Sequence, residues 1–200
     1  MLYKQNIIPG LFIIGYFFLL LMIFSLIPDK SSSQILPSVI AKSLPSDLNE
    51  SQINFKTYEN STLGIKVQYP SDWIRMQNDT VYGTSINFFS IASGKISSTL
   101  GSFGIDITHT NGQQSLKDYI YSYSYALKKY HPNVKVDSLN FTNFANYPAY
   151  KMIFTDDKGF KLDQIWVEKN NTLYHIIYPI AHFISVPIMQ KIINSFQIID

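Results

Sequence analysis

The stretch from Phe55 to Trp73, FKTYENSTLGIKVQYPSDW, constrains this chain more than any other. Ile65, Val67 and Tyr69 alternate with Lys66 and Gln68, the period of a strand with one buried face. A strand from Phe55 and the turn that follows it make the alternating strand the second arm of a hairpin. Pro70 stops it, and Trp73 demands a core to receive its indole. A sheet with a buried face therefore starts here, and what precedes it has a different character.

Ile7 to Ile27 contains no charged residue and is built mainly of Ile, Leu, Phe and Met. A helix of that length spans roughly 30 Å, the thickness of a bilayer core. A cleavable signal has a shorter apolar region followed by small residues, whereas Leu26-Ile27-Pro28-Asp29 follows here. The expectation is an uncleaved single-span anchor over 7–27 after a short tail, 1–6. Lys4 lies before the span, and Asp29 and Lys30 after it, which favours a cytoplasmic amino terminus and a globular domain outside the cell membrane. Residues 28–53, rich in Ser, Pro and Asn from Gln34 to Gln52, read as a flexible linker. The expected domain then occupies 54–200. N-x-S/T triplets at Asn49, Asn60, Asn78, Asn140 and Asn170 are compatible with export.

Charge excludes one class of partner. Setting Lys4 aside leaves 15 basic against 14 acidic residues, and no basic cluster exceeds Lys128-Lys129, so the chain lacks the positive face that nucleic acid requires. With no cysteine, disulfides, thiolate metal sites and cysteine nucleophiles are excluded.

Beyond Trp73 the periods alternate between sheet and helix. Trp73–Gln77, Ser85–Ile91 and Phe103–His109 read as strands. Leu116, Tyr119, Ile120, Tyr123, Leu127 and Tyr130 fall on one helical face, with Ser115 and Asp118 as a capping pair, Lys128 and Lys129 in the last turn, and Pro132 as the stop. Val134–Leu139, Ala149–Thr155, Lys161–Lys169 and Thr172–Tyr178 are strands. Turns at Asp156–Gly159 and Asn170-Asn171 join the last three into an antiparallel meander. A second helix, capped by Ser185 with Pro187 in its first turn, buries Ile188, Met189, Ile192, Ile193 and Phe196. The fold class is α+β: an α-β-α sandwich with a mostly antiparallel sheet of seven or eight strands and two covering helices.

The series TYENSTLGIKVQYPSDW, NYPAYKMIF, LDQIWVEKNNTLYHIIYPI and MQKIINSFQI resembles the PsbP-like family in its archaeal, membrane-anchored form. That family is named after the extrinsic lumenal subunit of photosystem II. The resemblance covers Phe55 to Ile199 and implies an α-β-α sandwich. It also implies an accessory role, since some members help to assemble or stabilise membrane complexes and the photosystem subunit influences calcium and chloride retention. The matched motifs are turn, strand and core positions, so no functional residue carries over.

Catalytic and metal motifs are sparse. His109, His131, His175 and His182 show no metal-pair spacing. His175, in phase with Leu173 and Ile177, reads as a packed histidine, whereas His109 or His182 is placed to join Asp106 in a site. Asp156, Asp157 and Asp163 flank one hairpin and are the candidates for a calcium or manganese ion, although they lack the D-x-[DN]-x-[DN]-G loop. No G-x-S-x-G elbow, phosphate-binding glycine loop or H-E-x-x-H helix is present. Tyr121 and Tyr125 point away from the buried face of the first soluble helix and form a candidate partner-binding surface. The leading expectation is a non-enzymatic, membrane-tethered binding or assembly module acting on an envelope protein, without a cofactor. An ion-binding accessory protein and an extracytoplasmic hydrolase are the alternatives.

Overall fold

The opening hairpin forms as its alternation requires. In the computed structural model, which describes residues 53–92, 95–180 and 186–200, β1 (Phe55–Asn60) pairs antiparallel with β2 (Ile65–Pro70). The Asn60 carboxamide accepts from Leu63 N at 3.0 Å, and Gly64 closes the turn at φ 69°, a conformation that favours glycine. Lys66 and Glu59, directly opposite on the outer face, form an ion pair at 2.9 Å. Ile65, Val67 and Tyr69 are buried on the inner one. A short β10 (Gln197–Ile198) adds to the other side of β2, completing a three-stranded sheet.

The main sheet contains β3 (Ile74–Thr80), β4 (Gly83–Ala92), β5 (Lys95–His109), β6 (Lys135–Phe144), β7 (Tyr147–Thr155), β8 (Lys161–Lys169) and β9 (Thr172–Ile180), in the spatial order β3-β4-β5-β9-β8-β7-β6. Every pairing is antiparallel. The meander of β7, β8 and β9 is as expected, with Asn170 and Asn171 at φ 52° and 58° in its last turn. The hairpin joining β6 to β7 was not foreseen. Its turn places Ala145 and Asn146 at φ 49° and 71°, and alanine gives no warning of a left-handed conformation.

Each face of this sheet has its own partner. Ile86, Phe88, Phe103, Ile105, Ile165, Val167 and Ile176 pack with the inner residues of β1 and β2 and with helix α2 (Val186–Asn194), which supplies Met189 and Ile192. Phe88 and Phe103 stack at 4.3 Å in this layer, and Tyr69 meets Phe88 at 4.6 Å. The opposite face is covered over β8 by helix α1 (Leu116–Tyr130). Ser115 Oγ accepts from Asp118 N at 3.1 Å and donates to the Asp118 carboxylate at 2.7 Å, the capping arrangement expected. Ile120, Tyr123 and Leu127 are buried as predicted. Tyr130 is a correction: it is exposed at the last residue of α1, where its ring lies 5.3 Å from Lys129 Nζ and not against the sheet.

The layers are thus α1, the seven-stranded sheet, and a mixed layer of small sheet plus α2. A single antiparallel sheet of seven or eight strands is replaced by two sheets with ten strands among the described residues. Residues 53–200 form one compact unit. The expected tail, anchor and linker over 1–52, Ser185 as cap, and His182 lie outside the described residues. Among the described residues, no helix is long and apolar enough to cross a membrane.

Candidate functional site

The chemistry-bearing side chains collect on the α1 face of the main sheet. Strand alternation puts Asp106 of β5, His175 of β9, and Gln164 and Trp166 of β8 on that face, and the register sets Asp106 opposite His175 and His175 opposite Trp166. His175 stacks on Trp166 with centroids 4.5 Å apart, and Tyr123 of α1 meets both rings edge-on. Its Nδ1 lies 3.7 Å from Asp106 Oδ2, near a carboxyl that is largely covered. Burial lowers the His175 pKa to about 3, so the ring is neutral at pH 7. Burial raises Asp106 to about 6 against a smaller opposing effect of the Ser85 hydroxyl. It also raises Tyr119, to about 12, and Tyr123, with Asp106 adding to both.

This cluster is incompletely satisfied. Among the described residues His175 Nε2, Trp166 Nε1 and both amide atoms of Gln164 have no well-formed hydrogen bond, although the Gln164 amide is close enough to Tyr123 to influence that hydroxyl. Asp106 and His175 resemble an orienting carboxylate and a base. Among the described residues no hydroxyl reaches Nε2, and the ring is sealed beneath α1. Sequence reasoning paired Asp106 with His109 or His182 and set His175 aside. His175 is packed, as expected, yet it is also the histidine that faces Asp106, whereas His109, at the end of β5, contacts Thr172 Oγ1 at 3.2 Å instead.

The hairpin carboxylates do not gather. Asp156 Oδ1 accepts from the backbone N–H groups of Lys158 and Phe160, so it shapes its own turn. Asp157 is exposed. Asp163 is buried on the other side of β8, where Oδ2 binds Lys151 Nζ at 2.8 Å and the Tyr178 hydroxyl at 2.7 Å. No group of three or more His, Asp or Glu side chains among the described residues is placed to hold a metal ion.

A cleft of about 490 Å³ opens where the β1–β2, β3–β4 and β8–β9 turns meet the chain end. His109, Lys169, Thr172 and Tyr174 line it, and Lys169 is engaged by Asp200 and lies over the Tyr147 ring. Sequence reasoning did not identify it, since its walls come from separate turns. On α1, Tyr121 and Tyr125 are 54% and 69% exposed on the side away from the sheet, where the helical period had put them.

An α-β-α sandwich built around this antiparallel sheet defines the structural class. A family model described as PsbP-like protein matches residues 38–198, and the chain belongs to that family. Among solved structures, the solution structure of cyanobacterial PsbP from Synechocystis sp. PCC 6803 is similar in fold, with a TM-score of 0.56 at 11% identity. The match covers 73% of this chain and 93% of that one. A crystal structure from Bacteroides thetaiotaomicron VPI-5482 matches at 14% identity and a TM-score of 0.48, over 72% of this chain and 48% of the other. No curated protein matches the chain by sequence.

Proposed function

We propose that this PsbP-like domain is a non-enzymatic binding or accessory module of a larger complex, held to the outside of the cell membrane by residues 7–27 and docking an envelope protein through the outer face of α1. The observation that carries this reading is the exposure of Tyr121 and Tyr125 on a helix that buries Ile120, Tyr123 and Leu127 on its inner face. Tyrosine presents large apolar area and a hydroxyl at low entropic cost, the combination enriched at protein interfaces. The buried state of His175 favours binding over hydrolysis, since a base without substrate access has no reaction to serve.

The test is crosslinking and partner identification in native membranes with the intact chain and its Tyr121→Ser/Tyr125→Ser variant. The reading expects one envelope complex captured by the former and lost by the latter. Capture undiminished in the variant would remove the helix face from consideration. Calorimetry with calcium and with manganese separates the ion-binding alternative, for which this reading expects no heat of binding.

A further inference from the structure

The main sheet has two edges, and they are built differently. On β6 the register slips between Val136 and Ser138, leaving Asp137 as an extra residue beside Lys135. A bulge and a charged pair blunt that edge against strand addition. On β3 all seven residues pair with β4 in unbroken register, and Arg75 through Thr80 are exposed.

The β3–β4 hairpin closes through a two-residue turn, Val81-Tyr82, which makes Thr80–Gly83 a hydrogen-bonded pair. Alternation from there assigns Asn78, Met76 and Ile74 to the β4 ladder. The backbone groups of Arg75, Gln77 and Asp79 then face away from the sheet, and none has a partner among the described residues. Their side chains share one face and are already held. Arg75 lies 4.5 Å over the Tyr58 ring, Gln77 Oε1 accepts from the Tyr58 hydroxyl, and Asp79 accepts from Thr84 Oγ1 at 2.7 Å. Neither Arg75 nor Asp79 has an ion-pair partner among the described residues.

This strand is complementary to itself. We propose that β3 pairs antiparallel with β3 of a second copy of this chain, centred on Gln77, so that the two main sheets become one continuous sheet. In that register Arg75 stands opposite Asp79 of the other copy, twice, and Gln77 opposite Gln77. All three are the positions whose backbone groups face outward, so each pair exchanges both N–H···O bonds. A shift of one residue in either copy breaks both the charge match and the hydrogen-bond phase. On the opposite face, Met76, 52% exposed, meets its own counterpart diagonally. The twofold axis runs perpendicular to the sheet, so both α1 helices lie on the same side. This inference is independent of the partner assigned to α1.

The full chain in detergent micelles tests it, and the absence of cysteine helps. Gln77→Cys introduces the sole thiol at a position opposite itself, within disulfide reach for a hydrogen-bonded pair. Mild oxidation is expected to give a linked dimer, whereas Asn140→Cys on the β6 edge gives none. In sedimentation, Arg75→Asp and Asp79→Arg each set like charges opposite one another and weaken dimerisation about tenfold or more. Mixing those two variants restores it, since each then opposes the other's sign. That rescue also shows that both variants are folded. A monomeric unmodified chain, no linked dimer from Gln77→Cys, or single variants that dimerise as well as the unmodified chain would overturn the proposal.

Discussion

Burial acts in opposite senses on Asp106 and His175, and the pH dependence of stability follows. The unfolded Asp106 ionises near its ordinary value of 3.8, while the folded carboxyl keeps its proton until about pH 6. Between those values the folded state binds more protons, so stability falls as pH rises. For His175 the unfolded ring takes a proton below 6.5 and the folded ring resists until about 3, so stability falls as pH drops through that window. The two slopes oppose each other from about pH 4 to 6. Asp106→Asn therefore leaves stability rising steadily with pH, with a gain on the order of 2 kcal/mol over the unmodified protein at pH 8 and little at pH 4. His175→Phe, which keeps a ring on Trp166, leaves stability highest near pH 4 and declining toward pH 7. Denaturant titrations across pH check both. Gln164 makes a separate prediction. Among the described residues its buried amide meets only the Tyr123 hydroxyl, and that outside good hydrogen-bond geometry, so Gln164→Met removes a desolvation cost at nearly constant volume and raises stability by about 1 kcal/mol in urea unfolding.

Among the elements, the strands and α1 were legible wherever burial on one face imposed a period. β8 matches its expected bounds, and α1 begins after the capping serine. β4, β5, β6 and β9 run longer than their sequence signals, because cross-strand hydrogen bonds carry a strand past the residues whose side chains need a core. β10 was invisible: two residues hold no period, and pairing with β2 is what makes them a strand. Glycine use also follows element geometry. At Gly83, with φ 148°, an added methyl would stand 2.1 Å from the Ile107 carbonyl oxygen, whereas at Gly159, with φ 85°, it would meet nothing within 4 Å. Gly83→Ala is expected to cost about 3 kcal/mol or more, since backbone must move, and Gly159→Ala about 1 kcal/mol from the positive φ alone. Thermal unfolding of the two variants separates steric from conformational cost.

At the scale of the whole molecule, a sequence period reports which face a side chain takes but not which strand lies beside it. The layered α+β plan and the family were legible for that reason, because they rest on faces, turns and core aromatics. The Asp106–His175–Trp166 cluster was not, since β5 and β9 become neighbours only when the meander folds back onto the first hairpins. The cleft was hidden for the same reason. Tyr121 and Tyr125 were legible because the helical period alone directs them outward. Their replacement touches no core contact, so Tyr121→Ser/Tyr125→Ser is expected to change stability by less than about 1 kcal/mol.

Quantitative partner capture from native membranes by the intact chain and by this double variant, with unfolding midpoints measured in parallel, tests the docking role of α1 most directly. The account predicts loss of one specific envelope complex at an unchanged midpoint; equal capture by both proteins would contradict it.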